Sequence, residues 1–182
     1  MNIVLLGAPG AGKGTQAERI SSQYHLKHIS TGDLFRFEVS NKTELGQKAS
    51  SYMDRGELVP DEIVVAMIQH HIPQNQGFLL DGFPRTIEQA KSLDQMLEKK
   101  DLRIDFVVCV DVPKNVLVER LLSRGRSDDN LETIENRLEV YQRQTKPLIS
   151  FYQDKELLHS IDGSQTVENV FAQIEQTVGR SS

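Results

Sequence analysis

The chain has 182 residues, 38% of them hydrophobic and 26% charged, with a formal net charge of −5. This is room for one sizeable core in a soluble globular protein, and the acidic balance excludes a general nucleic-acid binder, which needs a basic face. The one cysteine, Cys109, makes no internal disulfide, no Cys/His spacing suggests zinc, and no apolar run approaches membrane-spanning length.

Taken in chain order, "NIVLL" (2–6) reads as a strand that runs straight into "GAPGAGKGT" (7–15). A strand, a run of glycines and small residues, a lysine and then a helix is the geometry that holds phosphates. Backbone N–H groups converge on oxygen atoms, and the helix N-terminus adds partial positive charge. Gly7, Gly12 and Lys13 fit the usual G-x-x-x-x-G-K-[ST] pattern, but Gly14 stands where the magnesium-reaching hydroxyl belongs, and Thr15 comes one residue late. The direct entry into this loop argues against a signal peptide and for a reducing cytoplasm.

Further strands are expected at 77–81, 105–112 and 157–162, with a weaker candidate at 25–30. Helices are expected near 13–23, 31–54, 60–72, 86–99, 113–124, 131–153 and 165–178. Most of these strands are too continuously apolar to be half exposed. They suit a parallel sheet covered on both faces, with ligands at the carboxyl ends of its strands. Residues 30–60 are too long for a simple crossover, and "SRGRSDDN" (123–130) is a polar break between helices. Both read as excursions that carry binding loops. Cys109, inside an apolar run, reads as a core thiol. His70 and His71 read as helix-end residues, and "NKTE" (41–44) as a helix start.

"GFLLDG" ends an apolar strand on Asp81, an acid beside the glycine loop that can hold magnesium through water. Arg36, Arg85, Arg120, Arg124, Arg126 and Arg137 fall near loop edges. Arginine binds phosphate in bidentate fashion, so their number in an acidic protein favours an anionic site, although spacing alone does not prove convergence. Arg120 and Arg124 share one helix face. "TIEQ" (86–89) fits a helix capping box, with Thr86 as cap and Gln89 reaching back. Asp128 and Asp129 are either partners of the arginines or a solvated acidic turn.

The motifs "GAPGAGKGT", "ISTGDLFR" (29–36), "GELVPDEIV" (56–64), "GFLLDGFPRTIEQA" (77–90), "RLLSRGRSDDNLETIENRL" (120–138) and "YQRQTKPLISFY" (141–152) resemble those of adenylate kinases from end to end, closest to bacterial forms without the long lid. The resemblance implies an α/β P-loop NTPase three-layer fold with a central parallel five-stranded sheet. It also implies a single domain, with core segments 1–29, 60–123 and 131–182, a helical nucleoside monophosphate-binding insertion at 30–59 and a short lid at 124–130. The implied reaction is MgATP + AMP ⇌ 2 ADP, which maintains adenine nucleotide balance in a cytoplasmic monomer whose partners are ATP, AMP and ADP. Magnesium accompanies ATP, held by Asp81 through water with Thr15 as a helper, and no zinc is expected.

The resemblance also assigns roles. Gly10, Ala11, Gly12, Lys13, Gly14 and Thr15 would bind ATP phosphates, Arg120 would lie against the adenine, and the backbone of Gln165 would meet its edge. Thr31, Arg36, Glu57, Leu58, Val59, Gly82, Phe83, Pro84, Arg85 and Gln89 would form the AMP site, with a cis bond between Phe83 and Pro84. Lys13, Arg85, Arg124, Arg126 and Arg137 would act on the transferring phosphoryl group, Arg124 from the ATP side and Arg126 and Arg137 also reaching AMP. For Gln89 the resemblance favours base recognition over capping. Glu57 and Phe37 depart from the usual residues. Contact at Glu57 would be mostly through backbone, and the effect of bulky Phe37 on the pocket wall is left open. The nearest rival is a UMP/CMP kinase, which typically has an asparagine soon after "GFPR". A nucleotide-dependent switch would need N-K-x-D, which "NKTE" is not. An inactive P-loop scaffold sits poorly with the full arginine set.

Overall fold

The computed structural model describes residues 1–127 and 129–179. In chain order the elements are β1 (Asn2–Leu6), α1 (Lys13–Tyr24), β2 (Lys27–Ser30), α2 (Thr31–Ser40), α3 (Glu44–Met53), α4 (Asp61–His71), β3 (Phe78–Asp81), α5 (Ile87–Glu98), β4 (Phe106–Asp111), α6 (Lys114–Arg124), α7 (Leu131–Val140), a π-helical turn (Tyr141–Thr145), α8 (Leu148–Gln153), β5 (Leu158–Asp162) and α9 (Val167–Val178).

The five strands form one parallel sheet in the order β2-β3-β1-β4-β5. Successive side chains on a strand point to opposite faces, so a strand apolar throughout must be covered twice. Val4 and Leu6 pack on one face with Leu80, Val107, Ile68, Leu93 and Tyr152 from β3, β4, α4, α5 and α8. Ile3 and Leu5 pack on the other with Leu79, Val108, Ile20, Leu121, Ile134 and Ile174 from β3, β4, α1, α6, α7 and α9. The result is the expected three-layer α/β fold. From β1 the chain crosses to β2 on one side, and from β3 it crosses to β4 on the other. That reversal opens a crevice beyond the carboxyl ends of β1 and β3.

Two expected long helices are each divided. The 31–54 helix breaks at Asn41–Thr43, where Lys42 has φ 52 and Thr43 caps α3 by accepting from Gly46 N at 3.0 Å. This bears out the reading of "NKTE" as a helix start. The 131–153 helix breaks because Pro147 has no N–H to continue the ladder, and the turn before it widens so that Lys146 N reaches Tyr141 O at 2.8 Å.

Candidate active site

The loop after β1 is held by the sheet on one side and by α1 on the other. Gly12 sits at the N-terminus of α1 with φ 90, and a Cβ there would meet nothing within 4 Å. The glycine therefore serves backbone conformation and not room. Lys13 Nζ curls over the loop and donates to Gly7 O at 2.8 Å and Ala8 O at 3.0 Å. Its pKa is lowered to about 8, chiefly by desolvation; Asp81 opposes the shift, and Arg85 and Arg137 reinforce it. Gly10, Gly12, Gly14 and Thr15 line the cleft, whereas Ala11 is buried behind it.

Asp81 closes β3, paired in register with Leu5 of β1 and Ser30 of β2. A Cβ on Gly14 would stand 3.8 Å from its Oδ2, so the acid does lie beside the loop. Burial alone would raise its pKa, but the neighbouring His28, Lys13 and Arg85 together hold it below the usual carboxylate value. His28 Nε2 is 3.8 Å from Asp81 Oδ2, an ion-pair distance and too long for a hydrogen bond, and it is a buried nitrogen with no hydrogen-bond partner. Among the described residues no group of three or more His, Cys, Asp or Glu gathers as a metal cage. The donors present, one carboxylate with Thr15 at the cleft wall, suit a hydrated magnesium held largely by phosphates and water.

Next to Asp81, Thr31 is buried at the start of α2 and its Oγ1 donates to Gly82 O at 2.8 Å. Arg85 Nε donates to the same carbonyl at 2.7 Å. Arg36 pairs with Asp33 one turn away. Phe35, Met53, Leu58, Val59 and Val64 supply an apolar wall, with Glu57 on its rim. Pro84 also lines the cleft and is joined to Phe83 by a cis bond. The Phe83 side chain, by contrast, is fully buried in the core because it follows β3 into the apolar layer. Phe37 is 64% exposed and stands outside the wall.

Gln89 is almost fully buried, yet lines the cleft. Its Oε1 accepts from Arg85 N at 2.7 Å, and its Nε2 donates to Asp61 Oδ1 at 2.8 Å. Thr86 caps α5, accepting from Gln89 N at 3.1 Å and donating to Asp61 at 3.2 Å. The capping geometry is thus present, with Gln89 reaching one residue beyond the cap.

All six arginines singled out in the sequence border one cavity of about 570 Å³. The third side is organised by Asp129, whose carboxylate is fully shielded from solvent. It accepts from Arg124 Nε and Nη2 at 2.8 and 2.6 Å, from Arg126 N at 3.0 Å and from Arg137 Nη1 at 3.3 Å. Desolvation would raise its pKa, but the bonds from Arg124 and Arg126 hold it low. Of the two acidic readings, that of an arginine partner is therefore correct for Asp129; Asp128 lies outside the described residues. Arg85 has its pKa lowered by desolvation and then by the charge of Arg137. Arg120 Nη2 donates to Gly163 O at 3.0 Å, tying α6 to the turn after β5. Gln165 lies in that turn, bonded to Asp162 Oδ2 at 3.2 Å and outside the cleft lining.

The residues that sequence reading missed include the apolar wall of Phe35, Met53 and Val64 and three polar residues: His28, Asp61, and Thr145, which donates to Arg85 O at 2.8 Å. His28 was visible only as two residues before Ser30 on the same strand face. Thr145 reaches the site because the π turn before Pro147 re-aims it, which no simple helical period predicts.

The family model for adenylate kinase matches residues 5–157. An adenylate kinase from Corynebacterium urealyticum is 53% identical, covering 93% of this chain and 94% of its own length. One from Prochlorococcus marinus is 50% identical with 97% of both covered. One from Carboxydothermus hydrogenoformans is 44% identical, covering 98% of this chain and 99% of its own. That last alignment spans 212 positions, more than this chain has, so the relative carries residues that are missing here.

Proposed function

This chain belongs to the adenylate kinase family and catalyses reversible phosphoryl transfer between adenine nucleotides, ATP + AMP ⇌ 2 ADP, and we propose that the cleft performs it with the following division of labour. The carrying observation is the convergence of Lys13 and six arginines on one cavity that the glycine loop and Asp81 also line.

The glycine loop, from Gly10 to Thr15, binds the ATP phosphates, with Lys13 as a point charge on the outer ones. Arg120 and the turn holding Gln165 face the donor base. Residues 30–59 form the AMP-binding insertion: Thr31, Arg36, Glu57, Leu58, Val59, Gly82 and Arg85 hold the acceptor, with Phe83 and Pro84 shaping the backbone under it. Gln89 reads the acceptor base. Its amide nitrogen carries two hydrogens, so a bond to Asp61 still leaves it able to donate. Residues 124–130 act as a short lid over the core. Asp81, with Thr15, would hold magnesium through water, and the bound ion would supply positive charge against the phosphate oxygens.

The nucleophile is an AMP phosphate oxygen, anionic near neutral pH, so no side chain has to remove a proton. Alignment and charge dispersal carry the reaction. Arg85, Arg124, Arg126 and Arg137 surround the place where negative charge spreads in the transition state. Asp129 keeps the guanidiniums of Arg124 and Arg137 from wandering. Closure of the two excursions keeps water from competing as acceptor. His71 takes no part; its ring nitrogen is bonded to Met67 O at 2.8 Å within α4. The protein is expected to act as a cytoplasmic monomer.

The test supplies MgATP with AMP, CMP, UMP or GMP in turn and follows diphosphate formation. Turnover is expected with AMP far above the others. Selective turnover of CMP or UMP would overturn the assignment of the acceptor.

A further inference from the structure

Helix α7 carries Arg137, and the chain returning from α3 lies directly on it. Gly56, on that return, has φ 71, and a Cβ there would fall 2.7 Å from Arg137 Cγ, 2.8 Å from Thr133 O and 3.3 Å from Arg137 N. The stem of Arg137 therefore runs across Gly56 with no space between them. Two hydrogen bonds close the same seam. Thr133 Oγ1 donates to Asp54 O at 3.3 Å, and Asn136 Nδ2 donates to Arg55 O.

The return itself is a tight turn. Gly56 N donates to Met53 O at 3.0 Å and Glu57 N to Tyr52 O at 2.9 Å. Outside it, Arg55 lies over the Tyr52 ring and pairs with Glu57 at 2.9 Å. The turn is thus a stiff block, and its cleft side, Gly56 to Val59, is the rim of the proposed AMP site. At the other end of the same side chain, the Arg137 guanidinium is held by Asp129.

We infer that Gly56 and Asn136 are positioning residues for Arg137: the packed glycine and the amide clamp set how far the guanidinium reaches into the cleft, and they tie that reach to the seating of the AMP rim. A cation on a flexible stem loses much of its value if its resting position is spread over several rotamers. Clamping the stem at Gly56 and the head at Asp129 removes that spread. The same clamp means that a shift of the rim moves a charge at the transferring group. This inference rests on the reading that Arg137 acts on the transferring phosphoryl group.

The test is a set of kinetic cycles with Gly56→Ala, Asn136→Ala, Arg137→Ala and the two doubles with Arg137→Ala, measuring kcat, separate KM values for ATP and AMP, and the thermal midpoint. Gly56→Ala is expected to lower kcat about tenfold to a hundredfold, the range for a displaced catalytic group, and to raise KM for AMP with KM for ATP unchanged. Asn136→Ala removes one hydrogen bond without a clash, so it is expected to show the same pattern more weakly with an unaltered thermal midpoint. In the Arg137→Ala background both substitutions are expected to lose most of their effect on kcat, because they act through a side chain already removed. Penalties that multiply in full in that background, or a loss of kcat with both KM values unchanged, would overturn the inference. If Gly56→Ala does not fold, the Asn136 cycle alone decides. Near-normal turnover of Arg137→Ala by itself would instead overturn the role of Arg137.

Discussion

The glycine loop and the arginine cluster line one cleft, and they hold anions by opposite means. The loop offers backbone N–H groups and a helix end, fixed by a buried strand before it and by α1 after it. The cluster offers guanidiniums on long stems drawn from α2, α6, α7 and the segments after β3 and α6, held by carbonyls and by Asp129. A backbone site is organised when the sheet forms. A side-chain site has to be organised by further partners, because each free stem costs up to about 2 kcal/mol of rotamer entropy when it is held in one geometry.

If the comparison is right, the side-chain half should be the more easily broken. The largest effect is expected from Arg85→Ala. It should reduce phosphoryl transfer by roughly two orders of magnitude or more with the fold retained, as for loss of a transition-state donor. Steady-state rates alongside circular dichroism check this, and near-normal turnover would make Arg85 a bystander.

Asp129→Ala should come next. It touches no nucleotide in the proposed scheme, yet it takes a shared acceptor from two partly buried guanidiniums, those of Arg124 and Arg137. A loss of about ten- to a hundredfold in kcat is expected, together with a lower thermal midpoint. If kcat survives, the arginines are held by their stems and not by the shared carboxylate.

The smallest effect belongs to the loop and is read through Lys13. Its pKa is lowered from 10.5 to about 8, so the folded protein binds fewer protons than the unfolded chain between those values. Over that window its contribution to stability rises with pH, because the neutral amine no longer bears the desolvation cost. ATP binding should change in the opposite direction, since an anion favours the charged amine. Affinity for ATP is expected to fall about tenfold between roughly pH 7 and 9, with proton uptake on binding at the upper end. Calorimetry in buffers of different ionisation enthalpy measures both. A flat profile would show that Lys13 stays charged and that the loop is not coupled to its titration.

Legibility in the sequence followed the same division. β1, the loop and α1 were readable because each is specified by contiguous residues. An apolar run too continuous for an exposed strand, glycines at set offsets and a lysine at the helix start were sufficient. The cap at Thr86 and the helix start in "NKTE" are equally local. The six arginines were named by residue type and family resemblance, but their meeting in one cleft depends on helices far apart in the chain. Asp61 illustrates the limit. It is an acidic first-turn residue of α4 like many others, and only the packing of α4 against α5 brings it to Gln89 and Thr86.

By itself, then, the amino-acid order determined the parallel sheet, the phosphate loop with Gly14 where a hydroxyl is usual, and Asp81 at the end of the neighbouring strand. These follow from periodicity, local backbone preference and adjacency in the sheet. Tertiary structure decided that Asp129 holds the arginines and that His28 stands beside Asp81. It also decided that Phe37 faces out while Phe83 faces in, and that Gly56 is pressed against Arg137. Each of these depends on the distance between side chains whose positions are set by different elements. That distance is fixed only when the apolar layers on both faces of the sheet have packed.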